Sequence, residues 1–393
     1  MHVAEITAYH LRIPLKKAIR HASHTRRYND TLVVRCRLDD GTEGWGEGLP
    51  REYVTGETID STFAQLAATD LRSQLDGEID DLAGAIVLCD NWKLAVIDPA
   101  ARDCFGNIVR CAIELSILDG VTRREDVPLS AVTYKVPETL AIRQQSQQLQ
   151  YSAAVTAMTP FRERVHAWKL RLYGFHQCKV KVGMDGADDA ASLARIRRIL
   201  GESVDLRIDA NEAWNCENLE QKLQPLLPFG ISSCEQPVPH GEVDGLAALR
   251  GQIGVPIMLD ESLCSIGDAR RAIERGTCDL FNVRLSKCGG FLNSLRLAAV
   301  AHQAGLGYQL GCMVGETGIL SAAGRHFAAS IGGIRYLEGS YDRHLVRERL
   351  TVEDLTFARR GIAPALTGPG LGVEIDREAV SRTTVREERW TIR

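Results

Sequence analysis

Five charged residues recur at nearly one interval along the second half of this chain: Lys181, Asp209, Glu235, Asp260 and Lys287 stand 28, 26, 25 and 27 residues apart. That interval is the length of one strand, one helix and the loops that join them. Each residue also lies at or near the end of a short β-like run, in "HQCKVKVG", "VDLRIDANEA", "ISSCEQP", "VPIMLDES" and "DLFNVRLSKCGG". With "LSAVTYKV" before them and "GYQLGCMVGET" and "IRYLEGSYD" after, the runs number eight. Eight strands alternating with helices close into a (β/α) barrel, whose active site is built where the C-terminal ends of the strands converge. One interval breaks the rhythm: residues 137–175, with the Gln-rich piece "QQSQQLQ", are expected to hold an insertion or an extra outer helix.

Upstream the texture differs. "TLVVRCRLDDGTEGWGEGLP" alternates apolar and polar residues, turns at Asp40-Gly41 and resumes, a hairpin pattern. Residues 57–122 then carry apolar positions at helical spacing, as in "IVRCAIELSILDGV". The expected organisation is an α+β unit over 1–125, an α/β barrel over 126–362, and a Gly- and Pro-rich tail over 363–393 that returns to the first unit.

Composition narrows the partners. A net charge of -4 gives no electrostatic case for nucleic acid or for an anionic membrane surface. No stretch approaches the ~18 consecutive apolar residues of a membrane span. The opening "MHVAEITAYHLRIPL" lacks a basic segment followed by an unbroken apolar run, so a signal peptide is not expected. The 11 cysteines are scattered without a Cys-x-x-Cys pair, which points to reduced thiols and a cytoplasmic setting.

Taken singly, each acid of the series is an ordinary residue at a loop start. Three on successive strands, Asp209, Glu235 and Asp260, make a hard oxygen donor set suited to Mg²⁺, with Mn²⁺ as the other option. Lys181 and Lys287 close runs two and six, on opposite sides of the barrel mouth, and would flank the α-carbon of a small-molecule carboxylate with two possible bases. Lys179, two residues before Lys181 and on the same side of its strand, is expected together with the metal to lower the Lys181 pKa by charge repulsion. A Schiff-base reaction of an aldolase type at Lys287 or Lys181 is the alternative chemistry for a lysine at a barrel mouth.

"KVKVG", "DANEAW", "EQP", "DES" and "RLSKCGG" resemble the successive barrel-strand motifs of the enolase superfamily, specifically its muconate lactonizing enzyme subgroup within the mandelate racemase-like proteins. "GWGEGLP" and "VRCAIELSILDG" resemble that family's N-terminal capping domain, so the likeness covers almost the whole chain. It implies a modified TIM barrel, (β/α)7β, under an α+β capping domain made from the N-terminal part and the C-terminal tail. It also implies Mg²⁺ on Asp209, Glu235 and Asp260, an acid/base pair in Lys181 and Lys287, and Lys179 as an auxiliary cation. By the same resemblance Asn211 and Glu261 stand beside the metal and Glu316 near the substrate.

In that family two capping loops and the end of the eighth strand set specificity. The first loop here is "IRHASHTRRYND", with Arg20, His21, His24, Arg26 and Arg27, either a solvated basic loop or a seat for a second anionic group. The second is "LPREYVTGET", with Arg51 and Tyr53 as contacts and Gly56 for the bend. Dipeptide epimerases of the subgroup carry an Asp-x-Asp pair on strand eight for the substrate ammonium, whereas this chain has Glu338 and Asp342. The resemblance implies removal of a proton α to a carboxylate, giving an enolate stabilised by the metal. The overall reaction is then racemisation, epimerisation or cycloisomerisation, with a syn-dehydratase of the o-succinylbenzoate synthase type as the alternative, carried out by a homo-oligomer.

Overall fold

The computed structural model describes residues 1–20, 25–156 and 159–393. Three strands come first, β1 (Val3–Arg20), β2 (Thr25–Leu38) and β3 (Glu43–Gly48). The β2–β3 turn falls where the sequence places it: Gly41 takes φ 89° and the Thr42 amide donates to Asp40 Oδ1 at 2.9 Å. Alternate glycines then let a helix lie directly on β3. A Cβ at Gly44, Gly46 or Gly48 would stand 2.0 to 2.2 Å from backbone atoms of Ser116 and Gly120, Ala112 and Ile108 respectively. Two residues of strand and four of helix advance by similar lengths, ~6.7 and ~6 Å, so the glycine row meets every fourth residue of the helix Asn107–Arg124.

The next strand, β4 (Gln148–Gln150), precedes eight parallel strands. These are β5 (Ala153–Val155), β6 (Gln177–Lys181), β7 (Asp205–Asp209), β8 (Ile231–Glu235), β9 (Ile257–Leu259), β10 (Leu280–Val283), β11 (Gly307–Leu310) and β12 (Ile334–Leu337). They pair in chain order, and the Ser152 amide donates to the Leu337 carbonyl at 2.8 Å, joining the two ends of the sheet. The result is a (β/α)7β barrel beneath an antiparallel cap. β13 (Ile362–Pro364) pairs with β4, and β14 (Thr384–Thr391) runs antiparallel to β1, so the cap sheet has the order β14-β1-β2-β3.

Two expectations are corrected. "LSAVTYKV" is not a barrel strand: it contains the helix Ala131–Lys135, and its buried Leu129, Val132 and Val136 are spaced three and four apart, the helical period. The first barrel strand is β5 instead. The Gln-rich piece ends in strand β4, outside the barrel sheet, and the helix within residues 137–175 is Pro160–Tyr173, which follows β5 as the first helix of the barrel rather than as an extra one. With β5 as the first strand, strand starts fall at intervals of 23 to 28 residues throughout, and the rhythm has no gap. All eleven cysteines are free thiols. Among the described residues no helix is long and apolar enough to cross a membrane.

Candidate active site

Register brings the charged residues to one level. Lys181 is aligned with Asp209, Asp209 with Glu235, and Lys179 with Arg207 one step deeper. Lys179 and Lys181 lean to the same side of β6, as alternation requires. The buried Lys179 ammonium stands 2.8 Å from Glu338, 3.3 Å from Glu235 and 3.5 Å from Asp209. Burial disfavours that ammonium, but the charges of Glu235, Glu338 and Asp209 outweigh it and hold its pKa well above the ordinary lysine value. Lys179 is thus a neutralised cation, and its repulsion of Lys181 is correspondingly diluted. The half-buried Lys181 donates to Asn211 Oδ1 and lies 3.7 Å from Asp209.

Asn211 is positioned by two consecutive left-handed residues, Asn211 at φ 43° and Glu212 at φ 64°. Asparagine tolerates that region better than most side chains. Its amide N–H donates to Asp209 Oδ1 at 3.1 Å and its side-chain Nδ2 to Glu261 Oε1 at 3.1 Å, tying the ends of β7 and β9 together.

On the far side of the mouth, Lys287 is fully buried and donates to the Asp260 carbonyl at 2.6 Å, to Asp260 Oδ1 at 2.8 Å and to the Asn282 carbonyl at 2.9 Å. Burial opposes its charge and Asp260 more than restores it, so its pKa is raised. Asp260 is held far below the usual carboxylate range: burial pushes it up, and Arg284 and Lys287 overcome that. Glu235, by contrast, is pushed up to about 7, chiefly by burial and by the neighbouring Asp209 and Asp260 charges, against the pull of Lys179. Glu261 reaches about 8 for similar reasons.

Arg284 and Arg207 were not singled out in the sequence. Arg284 binds Asp260 Oδ2 and stands 3.5 Å from Glu235, between two carboxylates of the row. The signal was its place three residues before Lys287 in "RLSK". Arg207 is fully buried, lies 4.3 Å from the centre of the Tyr336 ring, and donates to Glu338 Oε1 and to Ser152 Oγ. Counting back two residues from Asp209 along the strand finds it. Lys179 and Arg207 together hold Glu338 at about 2 against the cost of burial.

The cap reaches the site through the loop after β11. Glu47 of β3 is buried and accepts from the Thr317 amide and hydroxyl and from the Leu320 amide, at 2.7 to 3.2 Å. Arg51 donates to Asn29 Oδ1 at 2.7 Å and to the Val314 carbonyl at 3.0 Å, while Asn29 donates to the Gly315 carbonyl. Glu316 between them accepts from the Met313 amide at 2.6 Å, and burial raises it to about 8. Glu316 and Glu338 line one pocket with Tyr151, Leu285 and Ser340. Tyr53 is half-buried on the short helix Glu52–Thr55, which Gly56 closes at φ 77°. Asp342 is not brought to the cluster: it opens the helix Asp342–Leu345, where its charged neighbours are Arg349 and Asp354. His21 and His24 lie outside the described residues, and of Arg20 only the backbone is described.

Asp209, Glu235 and Asp260 form an all-oxygen donor set with more anionic charge than the raised Glu235 can comfortably hold, which fits a hard divalent cation in chemistry. As placed, each carboxylate is turned to a lysine or arginine, so among the described residues no three acidic, histidine or cysteine side chains gather round one point.

Residues 161–379 match the family model described as enolase C-terminal domain-like. The chain belongs to the enolase superfamily. This superfamily member is 28% identical over 401 residues to the N-succinyl-L-Arg/Lys racemase of Bacillus cereus, covering 99% of both chains. It is 30% identical over 379 residues to the L-Lys-D/L-Arg epimerase of Methylococcus capsulatus, covering 95% of this chain and 99% of that one. Its fold superposes on the dipeptide epimerase of Cytophaga hutchinsonii, solved with Mg and the dipeptide D-Ala-L-Val, with a TM-score of 0.83 at 25% identity, over 99% of this chain and 100% of that one. With relatives of this kind, the protein is an isomerase of the enolase superfamily.

Proposed function

We infer that this enzyme is a racemase or epimerase that removes and returns the α-proton of a small carboxylate substrate, with Lys181 and Lys287 as the two bases. One observation carries the reading. Lysines from β6 and from just past β10, four strands apart in the barrel order, approach the two ends of one carboxylate row, Asp209 and Asp260. A planar carbanion held between them can be reprotonated from either side. As placed, Asp260 keeps the proton on Lys287 Nζ, which makes that residue the donor, while Lys181 is the more accessible amine. Mg²⁺ held by Asp209, Glu235 and Asp260 would take up the charge of those carboxylates and neutralise the charge developing on the substrate carboxylate. Glu261 and Asn211 brace the row from the loops after β9 and β7.

The substrate class follows from charge. Glu338 is already neutralised by Lys179 and Arg207, and two residues on stands Ser340, whose hydroxyl is hydrogen-bonded to Tyr151 at 2.9 Å. Among the described residues a free ammonium would find no spare pair of ionised carboxylates at this end of the barrel, because burial favours the neutral form of Glu316 beside it. An N-acylated amino acid fits better than a dipeptide with a free amino terminus, in keeping with the N-succinyl amino acid racemase among the relatives.

Exchange of the α-proton in D₂O with added Mg²⁺, across N-acetyl and N-succinyl amino acids and unblocked dipeptides, tests both parts. Exchange confined to N-acyl substrates and abolished by chelation supports the reading. Preference for unblocked dipeptides overturns the substrate class. Retention of full exchange in Lys181→Ala and Lys287→Ala overturns the two-base assignment.

A further inference from the structure

The cap grips the loop that carries Lys287 at three points. The Leu49 amide, just past β3, donates to Ser286 Oγ at 2.8 Å. The helix Asn107–Arg124 supplies the other two, from residues seven apart and so on one face of it. Asn107 Nδ2 donates to the Lys287 carbonyl at 2.7 Å, and Glu114 accepts from the Leu292 amide at 3.0 Å. Asn107 does more than its neighbours in this row, because the second hydrogen of the same amide group goes to the Cys264 carbonyl, at 2.8 Å. One side chain therefore joins the loop after β10 to the loop after β9. The approach is close: a Cβ at Gly289 would stand 2.7 Å from Asn107 Oδ1.

Both carbonyls belong to tight turns that move as units. The Leu263 amide donates to the Asp260 carbonyl at 2.9 Å, so Cys264 is tied to Asp260 through one turn of chain. Around Lys287 the Cys288 amide donates to the Arg284 carbonyl and the Gly290 amide to the Leu285 carbonyl, each at 2.9 Å. Inside the barrel mouth the same two turns are joined by the Lys287 ammonium on Asp260. Asn107 thus clasps from the cap side what Lys287 clasps from the barrel side. We propose that Asn107 is a positioning residue for the reaction: the spacing it imposes on the two turns fixes where Lys287 Nζ stands against the substrate's α-carbon. The inference rests on the reading of Lys287 as one of two bases. Lys181 is braced by the barrel itself, through Asn211 and through the Val182 amide on the Asp209 carbonyl at 3.0 Å. The two bases then differ in what holds them: the cap sets one and the barrel the other. A displacement of ~1 Å at a reacting group costs ~10²-fold in rate, so a cap residue whose amide hydrogens are both spent on main chain still governs proton transfer on one face of the substrate.

Exchange of the α-proton in D₂O with added Mg²⁺, measured separately on the two enantiomers of N-succinyl and N-acetyl amino acids, tests the assignment. Lys287→Met identifies the antipode that Lys287 serves. Asn107→Ala should lower exchange on that antipode by ~10-fold or more and leave the other within ~2-fold. A general loss of folded protein lowers both alike, so the ratio of the two rates reads position and not stability. Asn107→Asp, equal in size but without hydrogens to donate, should skew the ratio the same way, and it stands in if the alanine variant does not fold. Independently of substrate, hydrogen exchange followed by mass spectrometry should show the amides of 285–290 opening roughly tenfold faster in Asn107→Ala, with those of 206–211 unchanged. Equal loss on both antipodes, no loss, or unaltered protection of 285–290 overturns the role of Asn107, while a selective loss in Lys287→Met leaves the two-base reading standing. If Lys287→Met spares both antipodes or loses both alike, the two-base reading fails and the role of Asn107 fails with it.

Discussion

Lys287 binds Asp260 twice, through its main-chain carbonyl at 2.6 Å and its carboxylate at 2.8 Å, so that backbone and side chain of one residue fix the same ammonium. The bond to Asn282 uses the remaining proton, and the amine has a single orientation. Replacing Lys287 by Met, a chain of similar length, leaves Asp260 buried with Arg284 alone. Isotope exchange measured separately on each enantiomer should fall by ~10²- to 10⁴-fold on one antipode. Urea unfolding should register a loss of roughly 3 kcal/mol, because one member of a buried ion pair is gone.

Lys181→Ala should behave differently. Its side chain is half-buried and shares Asp209 with Lys179, so unfolding should shift by less than ~1 kcal/mol. Exchange should collapse on the antipode opposite to that lost with Lys287. Loss of the same antipode in both variants would contradict bases on two sides.

Glu338→Gln leaves Lys179 with Glu235 and Asp209 but removes the carboxylate that Arg207 meets. A fully buried guanidinium without its counter-charge should cost roughly 3 kcal/mol in urea unfolding. The double variant Arg207→Met, Glu338→Gln should recover part of that loss, since neither charge is then stranded.

Glu57 offers a pH test away from the barrel mouth. It is buried, sits 3.3 Å from the Ile108 amide at the start of the helix Asn107–Arg124, and is raised by burial to about 8. A carboxyl whose folded pKa exceeds its unfolded value of ~4.3 favours the folded state in its protonated form. Stability is therefore lost as pH rises from about 4 to about 8, by up to ~1.4 kcal/mol per pH unit, and stays level above. Glu57→Gln should flatten that part of the stability–pH profile by one proton.

The barrel was legible because its signal is local and repeated: one charged residue per strand end, at the length of one β-α unit. Asp209, Glu235, Asp260 and both lysines could be picked out on that basis. β5 was missed because three residues, Ala153–Val155, carry almost no pattern of their own, while "LSAVTYKV" carries β-formers on a helical period. Arg207 and Arg284 were hidden for another reason. A buried arginine reads in sequence as a surface residue until its partner is known, and Glu338 lies 131 residues from Arg207. The cap's grip on the loop after β11 is more remote still, with Glu47 and Thr317 separated by 270 residues and joined only by the fold.

The strand β14 has a consequence for the order in which the molecule can be completed. β1 is paired on one side by β2 and, over Glu5–Leu11, on the other side by β14. During synthesis its outer row of amides and carbonyls has no native partner until residues 384–391 emerge, by which time the whole barrel sequence has been made. A growing chain must therefore shelter an open strand edge over Glu5–Leu11, the kind that pairs with other chains, while the barrel is being made. Truncations of the last ten residues should be limited by aggregation of the nascent cap, even though they remove nothing from the barrel mouth.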